Sequence, residues 1–278
     1  MGLPSSASLG HCAHAVLGTV PVLTGRGRRS FCPPLCSIGG SNRNPNVIKV
    51  VVNGAGSELG KAAVAAIHKA RGMEVAGALD SKYQGQDAGE VAGLAESLEI
   101  PILNDIVMVL GSLSQGTSMG VFVDLDDPAA VYENVRQATA FGLKSVVGVP
   151  GLGMDKVGAL SSFCEKASTG CIVAPSLSIG AVLLQQAAAS AAFQYKHVEI
   201  IESQEGLSEY PSQQATQLAS SLSGLGQMYN EGDDSKEFLT LSFRHDVTDV
   251  KALMPGLIMA IRRVVRLKSL VYGLEKIL

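Results

Sequence analysis

A glycine-rich turn between an apolar run and a helical pattern limits most strongly what this chain can fold into. The run Val47–Asn53 is β-branched, and Glu58–Ala70 carries apolar residues at helical spacing. Glycines at such a junction allow a tight turn and a close backbone approach to a pyrophosphate, which the helix N-terminus then attracts. The pattern predicts a dinucleotide-binding turn, and the alternative is a turn that serves only helix–strand packing. The turn consists of Gly54, Ala55, Gly56, Ser57, Glu58, Leu59 and Gly60.

An acidic residue ends the next predicted strand. Met73–Leu79 is apolar, and Asp80 follows it, 20 residues beyond Gly60. A carboxylate in this place accepts hydrogen bonds from ribose hydroxyls and repels a 2′-phosphate. The sequence therefore predicts NAD(P)H as the cofactor, with NADH preferred to NADPH. Lys82 is the nearby cation that could reach a 2′-phosphate.

Apolar strands and amphipathic helices alternate as far as about residue 193. Short buried strands joined by crossover helices form parallel sheets that are covered on both faces. The predicted fold class is therefore α/β, a Rossmann-type doubly wound parallel sheet. Further strands are predicted at Gly120–Leu125, Ser145–Val149 and Cys171–Ala174, and helices at Pro128–Phe141 (capped by Asp126 or Asp127), Asp155–Ala167, Ile179–Phe193 and Leu253–Val265.

The pattern changes beyond about residue 195, which predicts a second, smaller and shortened α+β domain. Its expected elements are strands at Val198–Ser203 and Phe238–Phe243, with a helix near Ser212–Leu222 between them. We expect a dinucleotide-binding domain formed by residues 46–174 plus 245–278, and a C-terminal domain formed by residues 175–244.

Residues 1–45 differ in composition from the rest of the chain, because they are rich in Arg and Ser and contain no acid. This composition predicts an organelle transit peptide; the alternative is a disordered N-terminus. The body without them has 18 basic and 25 acidic residues and a formal charge of −7, because four of the 22 basic residues lie in the leader. An acidic body argues against nucleic acid or anionic lipid as the main partner.

The cysteines and the hydropathy of the body exclude two further classes of protein. Cys164 and Cys171 are the body's cysteines, and they have no accompanying His spacing, so no metal site is predicted. No run of 18 apolar residues occurs, so membrane insertion is not expected either.

Several motifs follow the glycine turn in a characteristic order. They are Gly85–Glu90, Asp124–Pro128, Gly148–Gly151, Ala174–Gly180 and Met254–Gly256. In this order they resemble the dihydrodipicolinate reductase family, which transfers a hydride from NAD(P)H to a cyclic imine-type dicarboxylate in lysine biosynthesis. The family has Asp-Phe-Thr-x-Pro near the nicotinamide, where this chain has Asp124-Leu125-Asp126-Asp127-Pro128. The resemblance implies further dinucleotide contacts at Asp124, Gly148 and Ser176.

The segment that carries the family's catalytic His pair and Lys is altered in this chain. It lies between Glu202 and Gln214 and is one residue shorter than in the family, so two registers are open. In either register no imidazole remains to supply a proton, and no Lys remains to attract a dicarboxylate. The resemblance therefore implies the loss of lysine-pathway activity. The degenerate positions are Gln204, Glu205 and Ser208 counted from Glu202, or Ser203, Gln204 and Leu207 counted from Pro211.

The stretches Gly224–Asn230 and Arg266–Leu274 resemble a plastid branch of the family. That resemblance implies a chloroplast stromal protein that assists assembly or stability of the NAD(P)H dehydrogenase-like complex, whose subunits or assembly factors are its partners. The alternative is an active 4-hydroxy-tetrahydrodipicolinate reductase in plastid lysine biosynthesis via diaminopimelate. The connection Asn230–Glu237 is shorter than the family's, so the family's tetramer contacts are not expected.

Overall fold

The computed structural model describes residues 47–114, 119–192, 195, 198–203, 211–212, 215–216, 218–223 and 241–278. Residues 1–46, which contain the predicted transit peptide, lie outside this set. In chain order the elements are β1 (Ile48–Asn53), α1 (Glu58–Lys69), β2 (Met73–Leu79), α2 (Ala88–Val91), β3 (Ile102–Leu103), α3 (Ile106–Ser114), β4 (Gly120–Asp124), α4 (Val131–Ala140), β5 (Lys144–Val147), α5 (Met154–Ala167), β6 (Cys171–Val173), α6 (Ile179–Ala191), α7 (Met254–Val264) and β7 (Leu270–Tyr272).

The strands form one parallel sheet in the order β3-β2-β1-β4-β5-β6-β7. The chain winds in one direction from β1 to β3 and in the other from β4 onwards, so β1 and β4 flank the switch point of the sheet. Ligands of such sheets bind beyond the carboxyl ends of the strands at this point. The predicted Rossmann-type α/β fold is confirmed.

The central strand β1 is buried on both faces, which explains its unbroken apolar sequence. Val50 and Val52 pack in one apolar cluster with α1 and α7, whereas Val51 packs on the other face with Phe122 and Leu110. Successive side chains of a strand point to opposite faces, so both faces must be covered by helices. The sheet therefore holds the glycine turn that follows β1 on a rigid support.

Two predicted strands of the C-terminal part are not formed in the described residues. The segment Val198–Ser203 has no strand, and neither do residues 241–243, the described part of Phe238–Phe243. β-branched composition indicates only that a segment suits a pleated surface, and a strand needs a partner. Helical residues at 215–216 and 218–223 agree with the predicted helix Ser212–Leu222, while the division into domains stays a prediction.

The predicted start of the fourth helix was also wrong. The helix begins at Val131 rather than at Pro128, and its N-cap Ala130 makes no side-chain cap bond. Asp127 instead accepts a bond from the Ala129 N–H at 2.8 Å, which caps a separate turn. Within the described residues, no helix is long and apolar enough to cross a membrane.

Asp87 organises the loop between β2 and β3 through four backbone hydrogen bonds. Its Oδ1 accepts from the N–H groups of Gly89, Glu90 and Leu98, and its Oδ2 accepts from that of Ile100. Burial raises the pKa of Asp87, but the four donors together lower it by more than burial raises it. The net pKa therefore lies below the usual 3.8. The ionised carboxylate therefore stabilises the folded state.

We expect Asp87→Asn to lower the free energy of unfolding at pH 7 by about 2 kcal/mol, because an amide nitrogen cannot accept a hydrogen bond. A carboxylate whose pKa is lowered in the folded state stabilises that state above about pH 3.8, and this stabilisation is lost as the pH falls through the folded pKa. The difference between wild type and variant in urea unfolding should therefore shrink below about pH 3.8. Asp105→Asn is the matched control, because Asn caps α3 as well as Asp does; a pH-independent difference at Asp87 would contradict the prediction.

Candidate dinucleotide site

The glycine turn between β1 and α1 has the backbone geometry that phosphate binding needs. Gly54 adopts a φ of +79°, which glycine reaches without strain. The N–H groups of Gly54 and Ala55 both donate to the Leu79 carbonyl at 2.9 and 3.0 Å, which ties the turn to the end of β2. Ser57 caps α1, because its Oγ accepts from the Gly60 N–H at 3.0 Å. Glu58 and Leu59 then supply first-turn N–H groups, the kind of donor that binds a phosphate.

Two glycines of the turn lie where no side chain fits. A Cβ at Gly60 would overlap the Gly54 carbonyl oxygen and lie 2.8 Å from the Ala55 Cα. A Cβ at Gly56 would lie 2.7 Å from the Asp80 Oδ2 and overlap the Tyr83 ring. The close approach at Gly60 brings the start of α1 onto β1, which aims the helix N-terminus at the crevice. These residues fit a dinucleotide pyrophosphate.

Asp80 lies against the glycine turn, as its place at the end of β2 predicted. Its Oδ2 accepts from the Gly56 N–H at 2.9 Å, and its Oδ1 accepts from the Lys82 N–H at 2.7 Å. The carboxylate is half-buried, and its remaining lone pairs can accept from ribose hydroxyls. Lys61 packs over the Tyr83 ring, with its Nζ 4.9 Å from the ring centroid, and so adds a cation near Gly56.

Asp124 ends β4 and is completely buried. The side-chain amides of Asn53 and Asn134 donate to its two carboxylate oxygens, both at 2.9 Å. Burial raises the pKa of Asp124, and the two amide bonds only partly offset that rise. The Asp124 side chain therefore fixes the ends of β1 and β4, and the predicted dinucleotide contact at this position stays a prediction.

The loop after β4 exposes two further carboxylates beside the glycine turn. Asp126 and Asp127 are exposed, and Gly54 lies against Asp126, whose Cβ is 3.3 Å from the position a Gly54 Cβ would occupy. The Asp126 N–H donates to Asp124 at 3.4 Å, which orients the loop. The sequence suggested these residues as a helix cap, and the family resemblance placed the same loop near the nicotinamide. The structure adds that Asp126 lies against Gly54.

Gly148 and Ser176 follow β5 and β6 at the same edge of the sheet. The Gly148 N–H donates to the Asp124 carbonyl at 2.9 Å, and a Cβ there would lie 2.7 Å from Leu125 Cδ2. Ser176 is half-buried, and its Oγ accepts from the Ser178 N–H at 3.3 Å. Both residues lie on the nicotinamide side of the switch point, but the dinucleotide contacts themselves stay predictions.

The degenerate positions Gln204, Glu205, Ser208 and Leu207 lie outside the described residues. The ends of that segment are described, and Glu202 accepts from the Ser212 N–H at 2.9 Å. His245 is exposed, and its Nε2 lies 2.8 Å from the Oγ of Ser178, the cap of α6. Among the described residues, no group of His, Cys, Asp and Glu could hold a metal ion.

The strand order, the glycine turn and the acid after β2 define a dinucleotide-binding protein of the Rossmann type. Residues 48–177 match the family model for the N-terminus of dihydrodipicolinate reductase. The chain belongs to the dihydrodipicolinate reductase family, and family and fold together imply a site for NAD(P)H.

Relatives and a solved structure support this placement. The chain is 47% identical over 279 residues to the dihydrodipicolinate reductase-like protein CRR1, chloroplastic, of Arabidopsis thaliana, covering 88% of this chain and 94% of that one. It is 41% identical to the 4-hydroxy-tetrahydrodipicolinate reductase of Nostoc sp., covering 84% of this chain and 99% of that one. The structure of dipicolinate-bound dihydrodipicolinate reductase from Paenisporosarcina sp. TG-14 matches with a TM-score of 0.66 and 26% identity, covering 84% of this chain and all of that one.

Proposed function

We propose that this chain is an NAD(H)-binding member of the family without lysine-pathway activity, which acts in the chloroplast stroma. There it assists assembly or stability of the NAD(P)H dehydrogenase-like complex. The observation that carries the proposal is a glycine turn with intact geometry, followed in sequence by a catalytic segment that lacks the His pair and the Lys. An imidazole supplies a proton near neutral pH and Gln does not, while Glu205 and Glu209 repel a dicarboxylate.

The chloroplast location is supported by two independent features. Residues 1–45 have the Arg- and Ser-rich, acid-free composition of a transit peptide. The relative from Arabidopsis thaliana, 47% identical, is named as chloroplastic. A fusion of residues 1–45 to a fluorescent reporter should enter chloroplasts, and a reporter that stays in the cytosol would contradict the location.

The assembly role is tested in a line of the source organism that lacks this chain. The abundance of the NAD(P)H dehydrogenase-like complex on native gels and the free lysine pool are measured in the same plants. We expect the complex to be lost and the lysine pool to be unchanged, and the complex should return to its wild-type abundance when the full chain is supplied again. An intact complex would contradict the proposal.

The second candidate function is an active 4-hydroxy-tetrahydrodipicolinate reductase in lysine biosynthesis. Two observations favour it: the 41% identity to the reductase of Nostoc sp., and the position of His245 beside the loop after β6. If this candidate were correct, the line lacking the chain would show a smaller lysine pool, and His245→Asn would remove turnover. Unchanged lysine together with a lost complex separates the two candidates.

Asp80 predicts which coenzyme the site prefers. A carboxylate that faces the adenosine ribose accepts from its hydroxyls and repels a 2′-phosphate, so NADH should bind more tightly than NADPH. We expect Asp80→Asn to reduce the ratio of the NADPH dissociation constant to the NADH dissociation constant by about tenfold. The two constants are measured by quenching or enhancement of coenzyme fluorescence, with Asp105→Asn as the control. Tighter binding of NADPH by the wild type would refute the preference.

A further inference from the structure

The charges around the switch point are divided unequally between its two sides. On the β2 side, Asp80 is bonded to two backbone N–H groups and has Lys61 and Tyr83 beside it. On the β4 side, Asp126 and Asp127 are exposed and adjacent to each other. In a doubly wound sheet the adenosine half of a dinucleotide lies over the β2 side and the nicotinamide half over the β4 side. The acidic side of the crevice is therefore the nicotinamide side.

Asp126 is the carboxylate best placed to act there. It packs against Gly54, the first residue of the phosphate turn. Burial is the main cause of the raised pKa of Asp124, and the charge of Asp126 adds a smaller contribution in the same direction. The Asp127 carboxylate already accepts a hydrogen bond from the Ala129 N–H. Lys156 reaches the loop from α5, where its Nζ donates to the Pro128 carbonyl at 3.2 Å, and partly offsets the two negative charges. The loop retains a net negative charge next to the crevice.

The two redox forms of the coenzyme differ in charge at one place. The nicotinamide ring carries a positive charge in NAD⁺ and none in NADH, while the adenosine and pyrophosphate parts are the same. A carboxylate near the ring therefore favours the oxidised form, and its repulsion of the pyrophosphate affects both forms equally.

We propose that Asp126 makes this crevice bind NAD⁺ more tightly than NADH. The inference rests on the proposed dinucleotide-binding function and specifies which form occupies the site. A protein that retains the oxidised form holds no hydride to donate, which agrees with a role other than reduction. For one exposed carboxylate facing a cationic ring across a partly solvated crevice, we expect a preference of about fivefold.

The test measures three dissociation constants on the purified full chain. NADH binding is followed by its fluorescence, and NAD⁺ and ADP-ribose are measured by competition against NADH. ADP-ribose lacks the nicotinamide and reports on the part of the site shared by both forms. The ratio of the NADH constant to the NAD⁺ constant should be about five at low ionic strength and should fall towards one in about 0.5 M salt.

Asp126→Asn should bring the ratio close to one, because it removes the charge while keeping the backbone bond to Asp124 and the packing on Gly54. Glu165→Gln is the matched control, since it removes one exposed acid near the end of α5 that lies away from the strand carboxyl ends, and it should leave the ratio unchanged. A wild-type ratio of one or less, or an unchanged ratio in Asp126→Asn, would overturn the inference alone. If none of NADH, NAD⁺ and ADP-ribose binds, the dinucleotide-binding function is overturned as well.

Discussion

Gly60→Ala should weaken NADH binding by about 100-fold and lower the free energy of unfolding by about 2 kcal/mol. The added methyl group would overlap the Gly54 carbonyl oxygen, which is backbone and cannot rotate away. The start of α1 must then move off β1, and its first-turn N–H groups leave the pyrophosphate position. NADH fluorescence titration and urea unfolding measure the two effects.

Gly158→Ala is the control for the same chemical change. Gly158 lies inside α5, and apart from its chain neighbours and the backbone of its own helix no atom lies within 4 Å of the position of an added Cβ. Alanine should raise the free energy of unfolding there by about 0.5–1 kcal/mol, because glycine costs that much inside a helix. NADH binding should not change. Normal binding by Gly60→Ala would show that the turn does not hold the pyrophosphate.

Asp124→Ala should lower the free energy of unfolding by about 3 kcal/mol at acidic pH, because it leaves the amides of Asn53 and Asn134 without their acceptor. Burial raises the pKa of Asp124 above its usual 3.8, so the folded state holds its proton more tightly than the unfolded state. Between 3.8 and the raised pKa the unfolded state binds fewer protons, and wild-type stability falls as the pH rises. The cost of Asp124→Ala should therefore be greatest below pH 3.8 and smaller at pH 7.

This pH dependence has the opposite sign to that expected for Asp87→Asn, whose cost is greatest at neutral pH. Urea unfolding of both variants between about pH 3 and pH 7 compares them under identical conditions. The same direction of change in both variants would show that one of the two pKa shifts is assigned wrongly. A stability of Asp124→Ala equal to the wild type would show that Asn53 and Asn134 find water in place of the carboxylate.

The parts of the fold with strong local patterns were predictable from the sequence. The sequence patterns of β1, β2 and α1 are long and end near Gly54, Asp80 and Gly72, respectively. The structure has these elements within one residue of the predicted bounds. β3 and β7 were not predicted, because strands of two and three residues show no periodicity. α3 was also missed, because its apolar residues Ile106–Leu110 read equally well as a strand.

The site was predictable where one motif fixes both the backbone and the chemistry. Gly54, Gly60 and Asp80 lie together as the spacing required. The two acids at and just after the end of β4 could not be told apart in this way, because Asp124 and Asp126 are two residues apart and both precede Pro128. Their different roles depend on Asn53 and Asn134, which are brought to Asp124 by the sheet and by α4. Burial of this kind is a tertiary property that local sequence does not carry.

The central claim is that the chain keeps the family's cofactor site but lacks its catalytic activity. The most direct test of this claim is to measure turnover with NADH and 4-hydroxy-tetrahydrodipicolinate. The purified full chain and the reductase of Nostoc sp. are assayed side by side, with NADH binding confirmed first by fluorescence. Loss of a general acid and of a substrate-binding cation predicts NADH oxidation at least about 1000-fold slower than by the relative. Turnover within tenfold of the relative would contradict the account and identify the chain as a reductase.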